Sequence, residues 1–130
     1  MTDYRKDFVE PLYDFKGEQH PELASPGTFA HYQYGTQATA IYPKDIAMPY
    51  LIAGLASEVG EVADKYKKAV RDGHPLDTEG FAKELGDVLW YVARLAAENG
   101  LSMEAVALGN LEKLRSRMER NKLNGSGDNR

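Results

Sequence analysis

The chain contains no cysteine, so disulfides and thiolate metal sites are closed to it. That absence suits a reducing compartment, and a cytoplasmic location is expected. Histidine is scarce as well: His20, His31 and His74 are the full set. None follows a glutamate at the Glu-x-x-His spacing of di-iron bundles, and no pair has the i, i+4 spacing of a helical zinc site. Each reads as a surface residue, with base stacking by His31 as the alternative. No Gly-x-x-x-x-Gly-Lys-Ser/Thr loop exists to cradle a nucleotide. There is no basic excess, since 16 Lys and Arg face 20 Asp and Glu for a net charge of −4, so no nucleic-acid partner is expected. No continuous apolar run approaches the length of a membrane span, and residues 1–10 lack the apolar stretch of a secretory signal. No membrane partner is expected either. Strand-like alternation is missing throughout.

What remains is a chain of 130 residues, 42% hydrophobic and 28% charged, enough for one domain with a modest core. Residues 1–24 read as an N-terminal extension broken by Pro11, Gly17 and Pro21. Within it, Tyr4, Phe8, Leu12, Tyr13 and Phe15 have the spacing to dock on a core. The domain spans residues 25–121, and residues 122–130 form a polar tail. Ser25-Pro26 gives an N-cap followed by an N1 proline, opening a first helix that reaches about Ile41 and stops before Pro43. Residues 43–49 read as a loop. A second helix runs from about Tyr50 to Asp72-Gly73, where glycine provides the stop. Asp77 or Thr78 caps a third helix ending at Asn99-Gly100. Ser102 caps a fourth, which reaches about Asn121. The expected class is all-α, an antiparallel four-helix bundle.

At 100° per residue, each of the last three helices shows an apolar stripe with a polar flank. The second carries Leu51, Leu55, Val59, Val62, Tyr66 and Ala69, flanked by Glu58, Glu61, Lys65 and Lys68. The third carries Phe81, Leu85, Leu89, Val92 and Ala96, flanked by Glu84, Asp87 and Tyr91. The fourth carries Met103, Ala107, Leu111, Leu114 and Met118, flanked by Asn110, Lys113 and Arg117. A bundle can converge such flanks on one pocket. The third helix is also apolar on its other side, through Trp90, Ala93 and Ala97. A helix apolar all round is buried all round, which points to a homodimer packed through the Trp90 face.

Glu58 with Glu61, and Glu84 with Asp87, are neighbours one turn apart. One such pair is ordinarily a solvated face. Two like-charged pairs, each beside a core stripe on adjacent helices, call for a cation between them. Magnesium suits carboxylate, water and phosphate oxygens in octahedral geometry, and manganese is the expected substitute. Lys65, four residues after Glu61, has the simpler reading of an intrahelical pair. Lys68 suits the negative end of its helix. Lys113 and Arg117, accompanied by Asn110, are better phosphate candidates.

These residues resemble the MazG-like branch of the all-α nucleoside triphosphate pyrophosphohydrolases. The resemblance runs from about Tyr32 to Arg130. It rests on Tyr32-Gln33, Thr39-Ala40-Ile41-Tyr42-Pro43, Pro49-Tyr50-Leu51, Gly54-Leu55-Ala56-Ser57-Glu58-Val59-Gly60-Glu61-Val62, Glu84-Leu85-Gly86-Asp87-Val88-Leu89-Trp90-Tyr91 and Asn110-Leu111-Glu112-Lys113-Leu114. It implies an antiparallel helical core, assembled as a homodimer or tetramer. It also implies cleavage of a nucleoside triphosphate to a monophosphate and pyrophosphate, by metal-activated water at the α phosphorus. The implied metal ligands are Glu58, Glu61, Glu84 and Asp87, with Glu58 or Glu61 also serving the attacking water. The implied substrate contacts are Tyr91, Asn110 and Lys113, with Lys65 or Lys68 assisting; Arg117, from its flank, is expected to join them on the phosphates, and the first helix, with Tyr32, Gln33 and Tyr34, is expected to face the base. Ser57 departs from relatives that carry an extra acid there, and Thr36 departs from a small apolar residue. Other readings stay open: a dUTP, dCTP or phosphoribosyl-ATP hydrolase of the same fold, or a non-catalytic helical interaction module.

Overall fold

A computed structural model describes residues 28–120. The expected extension, the Ser25-Pro26 helix start and the tail from Asn121 lie outside the described residues. Among those described there are four α-helices and no strand, as the sequence led us to expect.

Helix α1, Phe29–Gly35, is capped by Thr28, whose Oγ1 accepts from the His31 amide at 3.1 Å. It is shorter than expected because the chain tightens into a 3-10 turn at Thr36–Thr39. Thr36 Oγ1 donates to the Gln33 carbonyl at 2.6 Å, and Thr39 Oγ1 to the Thr36 carbonyl at 3.3 Å. Such hydroxyl bonds compete with the regular helical ladder. A second 3-10 turn, Lys44–Ile46, leads into α2, Ala47–Asp72. Helix α2 thus starts before Pro49 rather than after it. Pro49 falls in the first turn, where a missing N–H costs no helical bond.

The later boundaries follow the caps. Gly73 closes α2 in the left-handed region at φ 66°, its amide reaching the Ala69 carbonyl. Asp77 caps α3, Thr78–Glu98, by accepting from the Gly80 amide at 3.0 Å. Ser102 caps α4, Met103–Glu119, by accepting from the Ala105 amide at 3.2 Å. With only residues 73–77 between them, α2 and α3 form an antiparallel hairpin, the most extensive helix packing among the described residues. Helix α1 packs on α3 and α4.

The core lies where the strap formed by residues 36–47 crosses the hairpin. Tyr42, Ala47 and Leu51 are buried there, with Ala40, Trp90, Tyr91 and Leu95 against them. Trp90 meets Tyr42 and Tyr91 edge-on at 6.3 and 5.0 Å between ring centroids, and its Nε1 donates to Thr39 Oγ1 at 2.7 Å. The Trp90 side of α3 is therefore covered by the chain's own strap. The strap thus covers part of the face through which a homodimer was expected to pack, while Leu85 and Leu89 on α3 stay exposed at 47% and 36%. Buried Arg94 fastens the same strap. Its Nε donates to the Tyr42 hydroxyl at 3.1 Å, and that hydroxyl donates to Glu98 Oε1 at 2.5 Å. Lys44 reaches the same carboxylate at 2.9 Å, and these two donors hold Glu98 below the usual glutamate range, Lys44 contributing most.

The apolar stripes are only partly buried. Val59, Tyr66, Leu85, Leu111, Leu114 and Met118 are all exposed, Tyr66 at 61% and Leu111 at 62%. Helix α4 packs chiefly on α1 and α3, so within one protomer the outer flank of the hairpin lacks a second layer. The segment Lys44–Asp72 also reaches a mean hydropathy of 1.3 over 18 residues, enough by length and composition to cross a bilayer. This is compatible with the lack of a long continuous apolar run, because a mean absorbs the polar interruptions that break one.

Candidate active site

The site is built by phase. Glu58 lies near the middle of α2, and Glu84 and Asp87 lie on α3, which returns antiparallel beside it. The hairpin brings one carboxylate oxygen from each of the three within 4.8 Å of one another. Glu58 and Glu84 are half-buried and Asp87 is exposed. Burial pushes the Glu58 carboxyl above the usual glutamate range, and the charges of Asp87, Glu84 and Glu61 push it further. A half-buried group of like charges is costly unless a cation joins it. The donors are all hard oxygens with no nitrogen or sulfur among them, which fits magnesium or manganese better than zinc or copper.

Glu61, the fourth expected ligand, is one turn further along α2 and exposed, outside that group. It also makes no ion pair with Lys65. Lys65 instead crosses the hairpin, its Nζ lying 3.4 Å from Glu84 Oε1. Lys68 is tied within its own helix, 2.5 Å from Asp64 Oδ2. Hydrogen bonds from Lys67 and Lys68 hold the Asp64 carboxyl down to about 2. Sequence spacing could not choose between Glu61 and Glu84 for Lys65, because only the hairpin register brings Glu84 within reach.

Two tyrosines border the acids. The Tyr91 hydroxyl is raised above the usual phenol range by burial first, then by Tyr50 and Glu58. Its ring occupies the space that a side chain on Gly54 would fill. Tyr32 donates weakly to the Gly86 carbonyl at 3.5 Å and is raised by burial and then by Asp87. Beside it, Thr28, Phe29, His31, Tyr32 and Leu89 line an open cleft of about 300 Å³. Tyr50 and Gly54 were not singled out by the sequence reasoning. A glycine in the middle of a strongly apolar helix is the signal that marks such a close approach.

The remaining expected contacts separate into two groups. Asn110 and Lys113 are exposed on α4, outside the three-acid group. Gln33 and Arg117 are corrected: both are buried, at 0% and 5% exposure. Gln33 Nε2 donates to the Ala93 and Leu101 carbonyls at 3.3 and 2.9 Å, and its Oε1 accepts from the Met103 amide at 2.8 Å. It ties α1, the end of α3 and the start of α4 together, and its full burial keeps it from a base in the cleft. Tyr34, expected beside it, is buried too. Arg117 was placed by its angle on the polar flank of α4, as a phosphate contact. The packing of α4 on α1 and α3 turns that position inward.

Residues 48–121 match the MazG nucleotide pyrophosphohydrolase domain family. The chain is 41% identical over 109 residues to "Gene 37 protein" of Mycobacterium phage L5, covering 76% of this chain and 96% of that protein. No solved structure gives a significant match.

Proposed function

The chain belongs to the MazG nucleotide pyrophosphohydrolase family, and we propose that it is a magnesium-dependent enzyme cleaving nucleoside triphosphates to monophosphates and pyrophosphate. The observation that carries this reading is the meeting of Glu58, Glu84 and Asp87 on the α2–α3 hairpin. Their donor set fits a hard divalent cation, magnesium with manganese as substitute. Bound there, such an ion supplies Lewis acidity toward phosphate and lowers the pKa of water.

The chain's own groups then have distinct tasks. Glu58, Glu84 and Asp87 hold the cation. Glu61, outside that group, is left with the role of a further ligand or of ordering the attacking water. Ser57 cannot act as a carboxylate base, so proton acceptance falls to Glu58 or Glu61. Tyr91 orients phosphate with its hydroxyl, and Asn110 and Lys113 of α4 neutralise it. The cleft walled by Phe29, His31, Tyr32 and Leu89 takes the base, since Tyr32 joins that cleft to Asp87.

Assembly as a homodimer or tetramer belongs to the same proposal. Its support is the row of exposed apolar residues on α2, α3 and α4, which a second copy would cover. That covering also accounts for the apolar character of α2 without a membrane. Cytoplasmic residence beside the nucleotide pool completes the reading.

The test is a magnesium-dependent pyrophosphate-release assay on a panel of nucleoside triphosphates, repeated in oxygen-18 water. The label is expected in the monophosphate. Label in free orthophosphate, with a diphosphate as the other product, would overturn attack at the α phosphorus. No turnover of any nucleotide, with or without manganese, would overturn the enzyme.

A further inference from the structure

Lys65 is placed unlike the other lysines of α2. Lys67 and Lys68 pair with Asp64 on their own helix. Lys65 reaches across the hairpin to Glu84, one of the three gathered acids, and only about a third of its side chain is exposed. The room for it is made by Gly80, one turn before Glu84. A Cβ built on Gly80 would lie 3.0 Å from the Lys65 ammonium. The Asp77 carboxylate that caps the helix reaches into the same space and also stands near the ammonium. The ammonium therefore rests in a niche with no side chain at position 80, beside a carboxylate that the cation also needs.

We propose that Lys65 is a resident counter-cation that competes with the metal for Glu84, so that the site loads its metal efficiently only together with the triphosphate. This rests on the pyrophosphohydrolase reading of the site. Three carboxylates and one ammonium leave about two negative charges, assuming all are ionised. A metal arriving alone meets a carboxylate already satisfied and a positive neighbour that repels it. A triphosphate arriving with the metal offers the ammonium another anion. Lys65 then leaves Glu84 for a phosphate oxygen, and Glu84 is released to the metal. The same group thus weakens the binding of metal alone and strengthens the binding of the metal–triphosphate complex. An ion pair that only fastened the two helices could weaken the binding of metal alone but would not strengthen the binding of the metal–triphosphate complex.

The experiment compares the wild-type protein with Lys65→Met and Lys65→Arg. Magnesium alone is titrated into each by calorimetry, and KM and kcat are measured on the nucleotide turned over fastest. Lys65→Met is expected to bind magnesium alone about tenfold more tightly, because a repelling charge is gone. Its KM is expected to rise about tenfold with kcat changed less. Lys65→Arg, which keeps the charge, should stay within about twofold of wild type for magnesium alone. Magnesium affinity that is unchanged or weaker in Lys65→Met would overturn the inference while leaving magnesium-dependent turnover, and so the activity, standing. A wild-type protein that neither binds magnesium nor turns over any nucleotide would overturn both.

Discussion

The Tyr91 ring of α3 stands where a side chain on Gly54 of α2 would project, and a Cβ built there would come within 2.7 Å of the hydroxyl oxygen and overlap the ring carbons. Replacing a mid-helix glycine by alanine ordinarily stabilises by roughly 0.5–1 kcal/mol. Here the sign should reverse. Gly54→Ala is expected to cost about 1–3 kcal/mol, the usual range for overpacking, and to swing Tyr91 away from Glu58. Urea unfolding checks the first effect. In a Tyr91→Ala background the same substitution should become stabilising. If Gly54→Ala stabilises the wild-type background too, the close contact is not real.

Gln33 offers a sharper separation of structure from substrate. Gln33→Leu would take the side-chain partner from the Leu101 carbonyl and the buried Met103 amide, a loss of about 2–4 kcal/mol. Chemical denaturation should show that loss, while KM of the folded fraction stays near wild type. A raised KM with stability intact would return Gln33 to the base pocket.

The acids should show themselves through pH in the metal-free protein. The Glu58 carboxyl is raised in the folded state by burial and neighbouring acids. The folded state therefore keeps this proton to higher pH than the unfolded state does. Stability from Glu58 is present on the acid side and falls as pH rises from the ordinary glutamate range through the raised value. Glu58→Gln should remove that decline, so that in EDTA the variant is the more stable protein at neutral pH. Its magnesium affinity should drop by more than the roughly 10–100-fold typical of substitutions that act on a ligand from outside. Unfolding curves over a pH series, with and without magnesium, decide the point. A metal-free wild type whose stability rises through that window as steeply as the variant's would contradict the repulsion.

How much of this was legible in the sequence depended on whether the signal was local. Gly73, Asp77 and Ser102 act within a turn of themselves, and the boundaries they mark were found. The spacing of Glu58, Glu84 and Asp87 on two amphipathic helices pointed to a common site, because phase along a helix survives folding. What failed required knowledge of a partner surface. Gln33 was expected to face a base and Arg117 lay on a polar flank by angle, yet the packing of α1 and α4 turns both inward. Trp90 looked unpartnered because residues 36–41 were read as the end of the first helix and residues 43–49 as a loop, and neither reading brings Thr39 and Tyr42 over α3. Lys65 had two acids within reach, and only the register between α2 and α3 selects Glu84.

The exposed apolar rows set the last expectation. The wild-type protein should sediment as a dimer or larger at micromolar concentration. Leu111→Glu, at a position 62% exposed in the protomer, should shift it toward monomer while leaving helical content unchanged. Trp90→Asp should behave differently. It buries a charge against Tyr42 and Tyr91, and its expected cost is about 3 kcal/mol or more whatever the assembly state. A wild-type monomer across that concentration range would remove the second copy from the proposal.

The three acids sit inside long helices and not on loops, and this makes the site sensitive to counting. Each residue added or removed within a helix turns everything beyond it by about 100° relative to what came before. A single residue inserted between Leu51 and Glu58 would keep Leu51 seated in the core and rotate Glu58 out of line with Glu84 and Asp87, unless the helix bulged to absorb it. The stretch from Gly73 to Leu76 carries no such phase, and lengthening it leaves both helices where their packing holds them. Variation in length is thus tolerated at the hairpin's turn and forbidden along its arms, so the spacing from core to acid is as much a part of the site as the acids themselves.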